Sequence, residues 1–138
     1  MKRVYIDTDV LLDFLQDRQP YNKYSRLIFH LGDKGHIQML ISALSFANAS
    51  YVLRRYISAE QRIGVLSQII PFVQICDLTE ADITQSLSLN FADFEDGIQY
   101  ATALRVKAQV ILSRNIKDYK KSLIPVMTPE VFIQSVSQ

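Results

Sequence analysis

The sequence predicts an α/β fold, a three-layer α/β/α sandwich in which helices cover both faces of a mostly parallel sheet of four or five strands. Short apolar runs alternate along the chain with longer segments of helical periodicity, and that alternation is typical of parallel sheets. The runs are continuously apolar, which indicates strands buried on both faces. With 138 residues and 49% hydrophobic content, the chain is expected to form one domain over residues 1–138, since no repeat, low-complexity segment or linker interrupts it.

The first half of the chain contains three predicted strands. In chain order, its elements are a strand at 2–6, helices at 10–15 and 21–31, a strand at 37–41, helices at 42–55 and 59–69, and a strand at 72–76. Pro20 separates the first two helices, and Pro71 precedes the third strand. The second helix repeats apolar side chains on one face, at Tyr24, Ile28 and Leu31, and it ends before Gly32.

The second half of the chain adds two predicted strands. Its elements are helices at 79–87 and 94–107, strands at 109–112 and 124–127, and a last helix at 131–136. Thr79 and Asp82 resemble a capping box, with Asp in place of the usual Glu. Thr128 and Pro129 fit an N-cap followed by proline in the first helical position. These local signals predict where two of the helices begin, at Thr79 and at Thr128.

The composition excludes several classes of protein. The net charge of +1 is not the strongly basic balance of many nucleic-acid-binding domains. The apolar runs are too short to span a bilayer, and Asp7 and Asp9 interrupt the start of the chain, so no signal peptide is predicted. Cys76 is the single cysteine, which excludes an intramolecular disulfide and a cysteine-based zinc site. We therefore expect a cytoplasmic protein that does not associate with membranes.

Acidic and amide side chains lie where predicted strands end or where the following helices begin. Asp7 follows the first strand, Asp96 lies in the first turn of a long helix, and Asn115 follows the fourth strand. The carboxyl ends of parallel strands share one edge, where α/β proteins bind ligands. Several carboxylates there would repel one another unless a cation binds. Because Mg²⁺ and Mn²⁺ prefer oxygen ligands, the pattern predicts a divalent cation site that activates water for attack at phosphorus.

Each of these acids also has an ordinary structural interpretation. Asp7 fits a turn or a helix N-cap, and Asp9 fits the same roles and is the first candidate for the cap. Asp93 and Asp96 fit the first turn of a helix, where the macrodipole favours negative charge. Asp118 fits a turn cap. Taken singly, the structural interpretation is the better one for each residue, and only their expected convergence at one sheet edge favours a site.

Five segments of the chain resemble the PIN domain, the nuclease fold of the bacterial VapC-type toxins of toxin–antitoxin pairs. They are residues 6–13, 41–45, 93–103, 111–119 and 128–130. Their order and spacing extend over nearly the whole chain and are more specific than any one segment. The resemblance implies a metal-dependent endoribonuclease that uses Mg²⁺ or Mn²⁺ to hydrolyse RNA. It also implies a homodimer and an antitoxin partner that buries the acidic groove.

The resemblance further implies roles for individual residues. The implied catalytic residues are Asp7, Asp96, Asn48 and Asn115, and the implied metal ligands are Asp7, Asp96, Asp93 and Asp118. The remaining implied role is support of the site by Asp9 and Ser113. Independently of the resemblance, Arg114 and Lys117 are predicted to bind RNA because they flank the acidic cluster. These assignments place the site at the start of the chain and in its last third, with Asn48 between them.

One position departs from the family pattern. The second acid of the pattern is a glutamate on the helix after the second strand, where this chain has Asn48. An amide brings no charge, so a catalytically impaired protein that binds RNA or a partner is an alternative, with Asp9 or Asp93 as candidates to compensate. A less favoured alternative is a haloacid-dehalogenase-type phosphatase, because Asp7-Thr8-Asp9-Val10 fits the start of that motif. The short chain and the absence of a suitably placed lysine favour the nuclease.

Overall fold

A five-stranded parallel sheet forms the centre of the structure, a computed structural model that describes residues 1–137. The strands are β1 (Lys2–Ile6), β2 (Ile37–Ser42), β3 (Val73–Cys76), β4 (Val110–Leu112) and β5 (Val126–Met127). Their order across the sheet is β3-β2-β1-β4-β5, and every neighbouring pair is parallel. The predicted α/β class with a parallel sheet is confirmed.

Helices fill the connections between the strands. They are α1 (Thr8–Leu15), α2 (Asn22–Asp33), α3 (Ala43–Leu53), α4 (Ala59–Ile69), α5 (Glu80–Ser88), α6 (Phe94–Arg105) and α7 (Pro129–Val136), with short 3₁₀ turns at Ile70–Phe72 and Ile116–Tyr119. None of the helices formed by residues 1–137 is both long enough and apolar enough to cross a membrane.

Each face of the sheet has its own apolar core, because successive strand residues point to opposite faces. Val4 and Ile6 of β1 pack with buried residues of α1, α2, α3, α4 and α7. Tyr5, between them, packs with Ile111 of β4 and with Tyr100 of α6. The helices therefore cover both faces and form the predicted three layers. β4 and the second half of β1 are apolar and buried on both faces, whereas the edge strand β3 exposes Gln74 and Ile75.

The start of α1 differs from the prediction. Asp7 is its N-cap: the Asp7 backbone is extended, and its side chain accepts a hydrogen bond from the Thr8 N–H. The Asp7 carbonyl accepts hydrogen bonds from the N–H groups of Val10 and Leu11, both at 3.1 Å, so helical bonding begins directly after β1. The assignment of the cap to Asp9 was wrong, since Asp9 already lies in the first helical turn.

Other boundaries move by a few residues. The helix predicted to reach residue 107 ends at Arg105, because Lys107 adopts a left-handed conformation with φ 59° and so ends the helical bonding. The last strand is limited to Val126–Met127. Thr79 and Asp82 form the predicted capping box, and Thr128 accepts from the Val131 N–H as the predicted N-cap of α7.

The strand order defines where a ligand can bind. The chain passes from β1 to β2 and β3 on one side and then returns to β4 and β5 on the other. Open α/β sheets bind ligands beyond the carboxyl ends of the strands at such a reversal. Asp7 follows β1 there, Ser42 ends β2, and Ser113 follows β4. The Asp7 N–H donates to the Leu112 carbonyl at 3.0 Å, so Asp7 is anchored directly at the reversal.

Candidate active site

Asp7 is the best-fixed acid at this edge. It is buried, and one carboxylate oxygen accepts from the Thr8 N–H at 2.8 Å. The other oxygen accepts from the hydroxyl of buried Tyr119 at 3.1 Å. Tyr119 was missed in the sequence, where an aromatic residue in a polar segment gives no signal of its direction. These two bonds hold the carboxylate in one orientation.

Asp96 reaches the same edge from the first turn of α6. Asp93 is the N-cap of this helix, and its Oδ1 accepts from the N–H groups of Glu95 and Asp96 at 2.8 and 3.3 Å. The Asp93 side chain is therefore used in capping, which matches its ordinary structural interpretation. Its predicted role as a metal ligand stays a prediction. The cap fixes the backbone that carries Asp96.

The charges of these acids act on one another. Burial, and then the charge of Asp7, raises the pKa of Asp96 to about 7, with Asp93, Asp118 and Glu95 adding to the effect. Burial also raises the pKa of Asp7, an effect that the Ser113 hydroxyl, Thr8 and Tyr119 oppose and that Asp118 reinforces. The structure thus brings Asp7, Asp96 and Asp118 close enough for like charges to repel. Such repulsion is released by a proton or by a cation.

We expect this repulsion to make stability depend on pH. The pKa of Asp96 is about 7 in the folded protein and 3.8 for an unperturbed aspartate, so the folded protein keeps this proton where the unfolded chain has lost it. The contribution of Asp96 to stability therefore falls as the pH rises from about 4 to about 7 and is constant above that range. Urea unfolding of the wild type and Asp96→Asn, in EDTA, should show the wild type losing stability relative to the variant across this range. A difference that does not vary with pH would contradict the shift.

The segment after β4 contacts Asp9 and Asp7. Ser113 is fully buried, and its hydroxyl accepts from the Asn115 N–H at 3.0 Å. The Asn115 amide and the Arg114 N–H both donate to Asp9 Oδ2 at 3.2 Å. Burial, and then the charge of Asp7, raises the pKa of Asp9 to about 7. Asn115 and Asp9 therefore hold each other at the rim of the site.

Arg114 and Lys117 differ in their surroundings, although both were predicted to bind RNA. The Arg114 Nε donates to Asp13 Oδ2 at 2.8 Å, and its guanidinium lies 4.0 Å from the centroid of the Tyr21 ring. The Lys117 side chain is exposed. Asp13 is almost completely buried, so Arg114 neutralises an internal carboxylate. Lys117 remains the better candidate for contact with a phosphate backbone.

Asn48 contacts an acid that the sequence did not single out. Its Nδ2 donates to Glu95 Oε1 at 2.7 Å. Burial, and then the charges of Asp93 and Asp7, raises the pKa of Glu95. The available signal was the run Asp93-Phe94-Glu95-Asp96, in which Glu95 stands beside two acids with assigned roles. Its direction was not visible in the sequence, because it depends on how side chains of α3 and α6, which cover opposite faces, meet at the sheet edge.

A buried hydrogen-bond network lies behind the acids and was also missed. Gln99 of α6 is fully buried. Its Oε1 accepts from the hydroxyls of Tyr5 and Ser42, and its Nε2 donates to Ser45 Oγ at 3.1 Å. The Ser45 hydroxyl also bonds Thr8 at 2.8 Å. This network ties α6 to β1, β2 and the start of α1, and a buried network with satisfied partners makes such an arrangement rigid.

A cavity of about 340 Å³ opens beside the acids. Its walls come from both ends of the chain and are Pro20, Tyr21, Tyr24, Arg114, Asn115, Thr128, Pro129 and Glu130. Asn115 is shared between this cavity and the Asp9 contact. The cavity therefore adjoins the acidic site and combines aromatic rings with a guanidinium.

The donors at the sheet edge fit a hydrated Mg²⁺ or Mn²⁺. Asp7 and Asp96 supply carboxylate oxygens, and within the described residues Asp9 Oδ1 is buried without a hydrogen-bond partner. Repelling carboxylates beside an unpaired buried oxygen are a setting that a cation stabilises. Within residues 1–137, no three His, Cys, Asp or Glu side chains converge closely enough to hold an ion by themselves. Mg²⁺ commonly binds through one or two carboxylates together with water and substrate phosphate, so the donors fit such an ion and not an all-protein cage.

Comparison with known proteins identifies the fold and the family. The sequence model of a family described as a PIN domain matches residues 3–117. Ribonuclease VapC1 from Aquifex aeolicus (strain VF5) is 25% identical over 138 residues, which are 96% of this chain and 94% of that protein.

Two solved structures share the fold at lower sequence identity. A chain of the DNA-bound VapBC structure from Salmonella typhimurium has a TM-score of 0.71 and 14% identity, and the match covers 94% of this chain and 99% of that chain. A chain of a toxin–antitoxin complex from Klebsiella pneumoniae has a TM-score of 0.69 and 19% identity, covering 91% and 97%. With its family match over most of its length and the acidic edge described above, the chain belongs to the PIN domain family.

Proposed function

We propose that this protein is a metal-dependent endoribonuclease and the toxin of a toxin–antitoxin pair. The observation that carries the proposal is the pair of repelling carboxylates, Asp7 and Asp96, at the carboxyl edge of a PIN-domain sheet. The similarity to a protein named as a ribonuclease supports the activity. The similarity to a chain of a toxin–antitoxin complex supports the biological role.

The side chains of the site would have separate roles in hydrolysis. Asp7, held by Thr8 and Tyr119, and Asp96 would hold one Mg²⁺ or Mn²⁺. When bound, the cation supplies Lewis acidity, which favours ionised water and stabilises the negative charge that develops on the phosphate. Asp118 would add negative charge beside Asp7. Lys117 would neutralise the RNA backbone, which positions the scissile phosphate.

The remaining predicted residues would support this geometry. Asn115 would orient Asp9 and water through its amide, while Ser113 fixes the Asn115 backbone. Asp93 would act through the cap of α6. We infer that residues 1–138 act as one domain, since the two apolar cores share a single sheet.

The test is RNA cleavage by purified protein without antitoxin, in Mn²⁺, in Mg²⁺ and in EDTA. We expect cleavage with either metal and none in EDTA. Attack by water leaves 5′-phosphate and 3′-hydroxyl ends, whereas attack by the RNA's own 2′-hydroxyl leaves a 2′,3′-cyclic phosphate. Analysis of the fragment ends therefore distinguishes the two routes. Cyclic phosphate ends, or cleavage that continues in EDTA, would overturn the proposed mechanism.

Partners and location belong to the same proposal. We infer an antitoxin that covers the acidic groove and a homodimer of this chain in the cytoplasm, where cellular RNA is available. Tyr51, Tyr56 and Ile63 are exposed near the end of α3 and on α4, at 64%, 68% and 68%, and exposed apolar groups of this kind favour a protein interface. Light scattering of the purified protein tests the dimer, and a monodisperse monomer would contradict it.

Asn48 supports a second candidate function, that of a PIN-fold protein that binds RNA or a partner without cleaving it. Neutral Asn48 and Asn115 lower the number of charges among the predicted catalytic residues. RNA binding by folded protein without cleavage in either metal would favour this candidate. The phosphatase alternative has no support from the family assignment. In addition, Asp9 Oδ2, which would be its acid/base atom, accepts bonds from Arg114 and Asn115.

A further inference from the structure

We propose that Glu95 is a further carboxylate of the hydrated cation site, meeting the ion through water, and that Asn48 positions it. The inference rests on the proposed metal-dependent nuclease function and names a residue that the family pattern does not supply at that position. Asn48 is the residue that the resemblance places where the family pattern has a glutamate. In this chain the acid comes from α6, one residue before Asp96.

A side-chain hydrogen bond joins Asn48 of α3 to Glu95 of α6. The Asn48 Nδ2 donates to Glu95 Oε1 at 2.7 Å, across 47 residues of sequence. Asn48 lies in α3, directly after β2, and Glu95 lies in the first turn of α6. Both helices begin at the carboxyl edge of the sheet, so the hydrogen bond places the Glu95 carboxylate beside the side chain that replaces the family acid.

Glu95 carries the negative charge beside Asn48. Glu95 is near enough to Asp93 and Asp7 for the charges of both to act on it. A glutamate at position 48 would put two carboxylates within hydrogen-bonding distance, with no donor between them. An amide at position 48 can donate to Glu95 instead. The pair therefore keeps one negative charge where α3 and α6 meet, and the charge belongs to Glu95.

The Glu95 carboxylate can accept from more than one partner. An ionised carboxylate has two oxygens and about four acceptor positions. Glu95 can therefore accept from Asn48 and still accept from a water molecule of a hydrated cation. Asn48 restricts the rotamers of a long, exposed side chain, as partners of metal ligands commonly do. Asn48 is thus a positioning residue, and Glu95 is the group proposed to meet the ion.

The experiment compares Mn²⁺ affinity, measured by calorimetry, for wild type, Glu95→Gln, Asn48→Ala and the double variant Asn48→Glu/Glu95→Gln. The matched control is Glu80→Gln, since Glu80 is an exposed acid in the first turn of α5. We expect Glu95→Gln to weaken Mn²⁺ binding by about tenfold or more, Asn48→Ala to weaken it less, and the control to bind like the wild type. The double variant, which moves the carboxylate to position 48, should recover most of the affinity. Circular dichroism melts in EDTA confirm that each variant is folded.

The possible outcomes separate this inference from the proposed function. If Asp96→Asn abolishes Mn²⁺ binding while Glu95→Gln binds like Glu80→Gln, the role of Glu95 is wrong and the proposed function stands. If the double variant binds Mn²⁺ as weakly as Glu95→Gln, the inference that a carboxylate at position 48 can replace that of Glu95 is wrong. If wild-type protein binds no Mn²⁺, both proposals fail. RNA cleavage by the same variants should follow the order of their Mn²⁺ affinities.

Discussion

Asp96→Asn is expected to abolish RNA cleavage and to leave the metal-free protein at least as stable as the wild type. A cation at Asp7 and Asp96 contributes several kcal/mol of transition-state stabilisation, so weakening its site should lower the cleavage rate by about a thousandfold or more. Stability should not fall, because the substitution removes a charge that Asp7, Asp93 and Asp118 repel. A single-turnover cleavage assay and a thermal melt in EDTA measure the two effects.

Asp33→Asn is the matched control for this variant. Asp33 is an exposed aspartate at the last position of α2, on an element that carries none of the acids of the site. It should cleave RNA like the wild type. Cleavage by Asp96→Asn at the control rate would remove Asp96 from the site. A large loss of stability in EDTA would instead show that Asp96 holds the fold and that the repulsion inferred for it is absent.

Arg114→Met is expected to destabilise the protein by about 3 kcal/mol, because it leaves a buried carboxylate without its main partner. The Asp13 side chain is 1% exposed, and its contact with Arg114 Nε is 2.8 Å. Arg18 is a more distant partner, with 3.8 Å between its nitrogen and Asp13 Oδ1. Urea unfolding of both proteins at neutral pH measures the difference in the free energy of unfolding.

Two further variants interpret this result. Lys117→Met changes an exposed cation in the same segment and should alter stability by less than about 0.5 kcal/mol, while it weakens RNA binding. Asp13→Asn combined with Arg114→Met removes the unpaired charge and should recover part of the lost stability, which a double-mutant cycle detects. If Arg114→Met is as stable as Lys117→Met and loses only RNA affinity, Arg114 binds RNA and its ion pair with Asp13 contributes little to stability.

Local sequence patterns were sufficient for most of the fold. Apolar runs at 2–6 and 109–112 predicted strands, and the capping box at Thr79 and Asp82 predicted a helix start, because each depends on residues close in sequence. The N-cap of α1 was assigned to Asp9 instead of Asp7, because an aspartate at either position fits a strand–turn–helix junction. Only the backbone conformation decides between them, and in the structure Asp7 is the extended residue.

The sequence by itself determined the order of the strands and helices, the α/β class and the expected meeting of acids at one sheet edge. Those features follow from side-chain periodicity and from the parallel arrangement that alternation imposes. The tertiary structure decided which side chains contact one another. Asp13 binds Arg114 across 101 residues, and Asn48 binds Glu95 across 47. Such pairs depend on how helices pack on the sheet and on which way each side chain points, and no local pattern encodes either one.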